Sequence, residues 1–293
     1  MTAIAPGVFW VGAVDWNIRD FHGYATHRGT TYNAYLVVDE KIALIDTVEA
    51  PFKDEMLRRI AEVCDPARID YAVSLHVEQD HSSGLPFIME RAPGAQVVTL
   101  ERFGQRGLEA TYHAGWRFLP VKEGSQLSLG KRHLTFIPTP MVHWPDNMMA
   151  YLVEDGVLFS SDCYGQHLAT SSRTDDGADL KQVISEAAKY YANIFMPYAT
   201  QTGRAVERTR ALAPAVIAPS HGVVWGQHRE RIEEAYGRWT QGHTLPRVLV
   251  IYDTMWGSTD MMAHAIGEGA RGEGVEVQLH RLTASDMSDI VAQ

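Results

Sequence analysis

Apolar positions divide the chain into many short strands and fewer, longer helical stretches. Residues 8–11, 34–38 and 41–45 carry the compact β-branched and aromatic runs of strands, the last two joined by Asp39-Glu40 as a tight hairpin. Between 50 and 64 the period changes, and Phe52, Met56, Leu57, Ile60 and Val63 recur at helical intervals. Further strands are predicted at 71–75, 96–100, 134–137, 150–153 and 157–160, and helices near 101–110, 178–195, 204–213 and 228–240. Strands dense in hairpins at first, then interleaved with helices, predict two sheets flanked by helices, an α/β (α+β) fold. That domain is expected to span 1–241.

The texture changes at 242–246, Gly-His-Thr-Leu-Pro, which reads as a linker. Residues 247–252 form an apolar run of the buried parallel type, 254–259 a small polar loop, 261–270 a helix, and 275–279 a second strand beyond Gly274. Strand, loop, helix, strand is the βαβ unit that opens a doubly wound domain. Residues 247–293 fall well short of the usual domain of about 100–150 residues. They stop in a helix-like stretch at 284–292, so the second domain is expected to be incomplete.

Composition narrows the function. The chain has 293 residues, 45% hydrophobic and 21% charged, close to ordinary globular proteins. A net charge of −10 argues against nucleic acid or an anionic membrane as partner. No apolar run approaches the roughly 18 residues of a membrane span. The opening residues 1–7 lack a basic start and apolar core, so no signal peptide is expected. Two cysteines, Cys64 and Cys163, cannot build a disulfide framework, and a reducing cytoplasm is the expected setting. Cys163 reads as a small buried residue rather than a ligand.

Histidine, at 13 residues, changes the picture through its placement. His76-Val77-Glu78-Gln79-Asp80-His81 follows the strand at 71–75 and packs four candidate ligands into six residues. Alternate residues share a face while the chain is extended, and the break at Ser82-Ser83-Gly84 allows Asp80 and His81 to turn toward a second centre. His143 (before Trp144-Pro145-Asp146), Asp162 and His221 (in Pro219-Ser220-His221-Gly222) each stand where a β element ends. That is where α/β proteins place their sites. His113, His133, His167, His228, His243, His264 and His280 are expected in structural or solvent-facing positions.

The ligand types suggest the metal. His76, Glu78 and His143 would give one centre two nitrogens and a carboxylate, and Asp80, His81 and His221 a second, with Asp162 bridging. Two-His-one-carboxylate sites with open positions favour non-haem iron, although zinc accepts the same ligands. Two Fe(II) ions, three carboxylates and one bridging hydroxide would be neutral.

These residues resemble the metallo-β-lactamase fold, whose hydrolases carry His at the position of Glu78. With Glu there, and with the His143-Trp144-Pro145-Asp146, Ser161-Asp162, Pro219-Ser220-His221-Gly222 and Gly29–Val37 segments and the appended βαβ start, the chain is similar to flavodiiron proteins (A-type flavoproteins). The resemblance implies an αββα sandwich bearing a di-iron site, then a flavodoxin-like FMN domain. It further implies reduction of O2 to water, of NO to N2O, or both. It also implies a rubredoxin-like or flavin reductase donor and a head-to-tail homodimer or dimer of dimers. His22 and Tyr198 would serve as catalytic residues, with Tyr24 also lining the pocket. Thr254-Met255-Trp256-Gly257-Ser258-Thr259 resembles the flavodoxin loop that holds the FMN phosphate, where hydroxyls and backbone N–H groups at a helix start suffice. Two other readings compete. One is a binuclear metallohydrolase, such as a thioesterase or lactonase, using a bridging hydroxide. The other is a flavin or electron-carrier module with a vestigial metal site.

Overall fold

The computed structural model describes residues 2–293; Met1, the first residue of the expected 1–241 domain, lies outside them. A seven-stranded sheet runs, in spatial order, through Thr2–Ala5, Val8–Trp10, Tyr35–Val38, Ile42–Ile45, Ile69–Val73, Gln96–Leu100 and Phe118–Val121. A five-stranded sheet runs through Gln126–Ser128, His133–Pro138, Met148–Leu152, Val157–Phe159 and Val216–Ala218. The hairpin at Asp39-Glu40 sets Tyr35 opposite Ile45 and Val37 opposite Ala43.

Strand alternation then builds three cores. Tyr35, Val37, Ala43, Ile45, Val73 and Val98 face Leu134, Phe136, Ala150, Leu152 and Phe159 between the sheets. The opposite face of the first sheet (Leu36, Leu44, Ala72, Val97) packs on Met56, Ile60, Leu85, Ile88 and Leu108 of the helices Lys53–Ala61, Leu85–Arg91 and Phe103–Tyr112. Outside the second sheet, Leu158 and Ile217 meet Val183, Ala187, Val206, Ile232 and Tyr236 of Leu180–Tyr190, Ala199–Leu212 and Arg229–Thr240. The layers are therefore helix, sheet, sheet, helix.

Several boundaries depart from the pattern reading. The helix expected over 50–64 begins as a 3-10 turn, Ala50–Phe52, with the α-helix limited to Lys53–Ala61. The stretch 178–195 divides into Leu180–Tyr190 and a π turn, Tyr191–Phe195. Helix Leu85–Arg91 and strands Phe118–Val121 and Gln126–Ser128 carried too little periodicity to be predicted. Pro120 is tolerated because Phe118–Val121 is an edge strand.

Toward the C-terminus, Arg247–Tyr252 and Glu276–Arg281 pair in parallel, with Ser258–Ala270 as the connecting helix. That helix starts three residues earlier than the pattern suggested. The helix Met287–Val291 docks back onto the sandwich. Asp289 meets Lys189 Nζ at 2.5 Å and His27 Nε2 at 3.2 Å, and Asn193 Nδ2 donates to the Ser288 carbonyl at 3.1 Å. Among the described residues, no helix is long and apolar enough to cross a membrane.

Candidate metal centre

Four stretches of chain deliver the candidate ligands to one end of the sandwich. The strand Ile69–Val73 leaves its ladder two residues earlier than the sequence pattern indicated. The Leu75 N–H donates to Asp46 Oδ1 (2.8 Å) and its carbonyl accepts from Met148 (3.0 Å), which aims His76 and Glu78 inward. The short helix Gln79–Ser82 then carries Asp80 and His81. Asn147 links the His143 loop to the Asp162 turn, its Oδ1 accepting from Thr139 Oγ1 and its Nδ2 donating to Ser161 Oγ. Gly222, at φ +81°, lets the chain reverse after His221 where a side chain would be strained.

The donor atoms fall into groups. His76, Glu78, His143 and Asp162 present atoms within 4.8 Å of one another, as do His81, Asp162 and His221. Glu78 Oε2 lies 3.2 Å from both His76 Nε2 and His143 Nε2, and Asp162 Oδ2 is 3.5 Å from His143 Nε2. On the other side, Asp162 Oδ1 is 3.1 Å from His81 Nε2, and Asp80 Oδ2 is 3.0 Å from His221 Nε2 and 3.3 Å from His81 Nε2. One oxygen of Asp162 thus faces each group. Two ligands about 2.1 Å from one ion, at right angles, stand about 3 Å apart, so these spacings suit atoms sharing a cation.

Hydrogen bonding supports the same conclusion. Both Asp80 oxygens, Asp162 Oδ2 and the Nε2 atoms of His81, His143 and His221 are buried with no hydrogen-bond partner among the described residues. Each such group costs about 1–3 kcal/mol or more when left alone, so this number of them at one point fits a cation.

Electrostatics has been arranged to hold charge here. Burial disfavours imidazolium at His76, but the facing carboxylates of Asp146 and Glu78 outweigh it and hold the group up to about 10. His143 is likewise held up to about 9 by Asp162 and Glu78 against burial. Burial favours neutral Glu78, yet His143 and His76 pull it down to about 2. Asp80 and Asp162, also opposed by burial, are kept low chiefly by His81.

Positioning residues surround the ligands. His76 Nδ1 contacts Asp146 Oδ2 at 3.0 Å, and His221 Nδ1 donates to the Thr31 carbonyl at 2.6 Å. Tyr190 donates its hydroxyl to Asp162 Oδ1 at 3.0 Å, just ahead of the π turn. Asp146, Thr31 and Tyr190 escaped the sequence reading in these roles, since each acts across a long sequence separation.

Of the expected pocket residues, His22 is at the site: its Nε2 lies 3.5 Å from Asp80 Oδ2. Its other ring nitrogen meets His167 Nε2 at 3.1 Å, and His167 Nδ1 meets Thr30 Oγ1 at 2.8 Å. His167 is therefore buried behind the centre and supports His22. Tyr24 is buried against the His167 ring, at 5.5 Å between centroids. Tyr198 instead stands at the start of helix Ala199–Leu212, where its carbonyl accepts from Thr202, and the tyrosine beside Asp162 is Tyr190. Cys163 is fully buried. A cleft of about 360 Å³, lined by Phe21, Glu78, Asp80 and Trp144, opens onto the ligands.

The loop Thr254–Thr259 joins Arg247–Tyr252 to the N-terminus of its helix. Gly257 takes φ +87° and donates its N–H to Thr254 Oγ1 at 3.0 Å, leaving Met255 and Trp256 almost fully exposed.

Residues 30–222 match the family described as ODP family beta lactamase, and residues 250–293 match flavodoxin. The chain is 47% identical to a nitric oxide reductase of Moorella thermoacetica, covering 99% of this chain and 74% of that protein. It is 41% identical to the rubredoxin-oxygen oxidoreductase of Megalodesulfovibrio gigas, over 100% of this chain and 74% of the relative. Among solved structures, the flavodiiron protein from Giardia intestinalis superposes with a TM-score of 0.95 at 39% identity, covering 99% of this chain and 71% of that one.

Proposed function

This chain belongs to the flavodiiron proteins, and we propose on that footing that its seven clustered ligands form the centre at which it reduces O2 to water, NO to N2O, or both. The observation that carries the assignment is the convergence of buried, unpartnered oxygen and nitrogen atoms in overlapping groups, Asp162 shared between the His76–Glu78–His143 and His81–His221 sets and His221 also grouped with Asp80 and His22. His76, Glu78 and His143 would hold one iron, Asp80, His81 and His221 the other, with Asp162 bridging. Iron and FMN supply the redox chemistry, one electron per Fe(II) and two per reduced flavin, totals that suit four-electron reduction of O2 or two-electron coupling of two NO.

The protein's own share is placement and charge. Three carboxylates in a buried site offset most of the cationic charge, and Asp146 and the Thr31 carbonyl fix the tautomer and tilt of two imidazoles. Tyr190 restrains the bridging carboxylate, and His22, backed by His167, faces Asp80. Thr254–Thr259 would take the FMN phosphate on backbone N–H groups and hydroxyls at a helix start. We assign residues 1–241 to the metal domain, 242–246 to the linker and 247–293 to the flavodoxin-like part. A rubredoxin-type protein or a flavin reductase is the proposed donor, a head-to-tail homodimer or dimer of dimers the proposed assembly, and the cytoplasm the proposed location.

Glu78→Ala and Asp162→Ala are expected to lower iron content and abolish reductase activity, measured anaerobically by metal analysis and O2 and NO consumption. Wild-type activity in either variant at full metal load would overturn the ligand assignment. The metallohydrolase alternative has no use for Glu78 in place of His or for a flavodoxin-like segment. It would return only if purified protein held zinc and cleaved esters without reductant.

A further inference from the structure

A cleft of about 460 Å³ lies beside the strand Val8–Trp10, lined by Trp10, Trp16, Arg59, Arg173 and the hydroxyl residues Thr2 and Ser171, with Glu55 in its wall. None of the seven metal ligands lines it. Trp10 is buried, and the guanidinium carbons of Arg59 and Arg173 each sit 4.7 Å from its ring centroid. A single cation over an indole is favourable, but two like charges sharing one ring repel.

The two arginines are not equivalent. Arg59 is neutralised by Glu55 and also donates to the Gly12 carbonyl. Arg173 has no ion pair among the described residues, and its Nη1 is buried with no hydrogen-bond partner. Burial, and then the charge on Arg59, push its guanidinium down to about 10. The position is nonetheless fixed by the fold: the Arg173 carbonyl accepts from Val224 N at 2.9 Å, and Trp10 is tied through Nε1 to Asn33 at 2.7 Å. A half-buried, unpaired guanidinium in a defined place calls for an anion.

We propose that this cleft is a binding site for a small organic oxyanion, whose carboxylate or phosphate group is held by Arg173 with help from Arg59. The planar guanidinium fork matches either group in bidentate fashion. Thr2 and Ser171 add hydroxyls, and Trp16, half exposed, offers its indole to an apolar ring. Two arginines and one glutamate leave one positive charge, which suits a singly charged ligand. The concave wall and recessed Arg173 favour a small molecule over an acidic protein segment.

The test uses the full chain, loaded with metal as isolated, at constant ionic strength. Benzoate, phenyl phosphate and inorganic phosphate are titrated by calorimetry and by tryptophan fluorescence. Saturable one-to-one binding of at least one probe is expected, with Kd of about 1 mM or tighter. Arg173→Met should weaken it at least about tenfold, while Arg91→Gln, the same loss of charge at an exposed site, should leave it unchanged. Because Arg173→Met also removes an uncompensated charge, the ligand-free melting temperature should rise or hold, and the probe should raise it only in the wild type. Binding that survives in Arg173→Met, or no saturable binding by any probe, would overturn the proposal. So would Arg173-dependent capture of a poly-glutamate peptide without binding of the small probes.

Discussion

Asp146 offers a sensitive test of how the centre is held, because it is nearly fully buried and contacts no candidate metal directly. Its Oδ2 accepts from Val77 N at 2.7 Å and contacts His76 Nδ1 at 3.0 Å. In Asp146→Asn the amide oxygen keeps the shape and an acceptor but loses the charge. A charge-assisted bond is roughly twice as strong as a neutral one, so the net loss is about 1–1.5 kcal/mol, or about tenfold in iron affinity at the His76 centre. Asp146→Ala strands the buried His76 Nδ1 and the part-buried Val77 N–H. It should cost about 2–4 kcal/mol of metal-free stability and move iron affinity toward a hundredfold loss. Iron affinity is read by anaerobic competition against a chelator, and stability by thermal unfolding of the metal-free chain. Only one of the two irons should loosen, since His81, His221 and Asp80 do not touch Asp146. An Asn variant that matched wild type in both iron affinity and metal-free stability would refute the reasoning, as would equal loss of both irons.

Acidity gives a second check with two opposite signs. His76 and His143 are raised from 6.5 to about 10 and about 9, so their protonation stabilises the metal-free fold fully below pH of about 6.5 and is lost as pH rises through 9–10. Iron must displace those protons, so its affinity should climb across the same window. Metal-free melting temperature and chelator competition that moved in parallel would contradict the charge web described above. Gly222→Ala should cost about 1–3 kcal/mol and displace His221, because φ is +81° and the new Cβ would run into the Gln166 side chain. Thermal unfolding and metal analysis should show lower stability and weakened iron at the His81 centre, and full retention of both would count against that geometry. Phe136→Ala, fully buried between the sheets, should cost about 3–5 kcal/mol in denaturant unfolding with iron ligation geometry intact. A cost below about 1 kcal/mol would show that the two sheets do not share the core described.

How much of this could be read from the amino-acid order depends on sequence distance. His76, Glu78, Asp80 and His81 lie within one hexapeptide, so their ligand spacing is visible before any fold is known. Gln96–Leu100 and the hairpin at Asp39-Glu40 were equally plain, because apolar runs and turn residues are local signals. The supporting groups are of another kind. Tyr190 meets Asp162 across 28 residues, Asp146 meets His76 across 70, and Thr31 meets His221 across 190. No periodicity marks such residues, since a hydroxyl, carboxylate or carbonyl acquires its role only when the two sheets close. Tyr198 and Tyr190 illustrate the difference. Both are tyrosines on the helical segment after the Asp162 turn, and choosing between them requires knowing that the chain widens into a π turn at Tyr191–Phe195. Leu180–Tyr190 ends with Tyr190 fully buried beside Asp162, whereas Tyr198 is half-buried and directly precedes the next helix. The ligands thus state which chemistry the chain is built for, and the residues that tune it are set by the packing of one sheet on the other. Mutations at Asp146, Thr31 or Tyr190 should therefore change how tightly and in what geometry the metals sit, while those at the hexapeptide decide whether they bind at all.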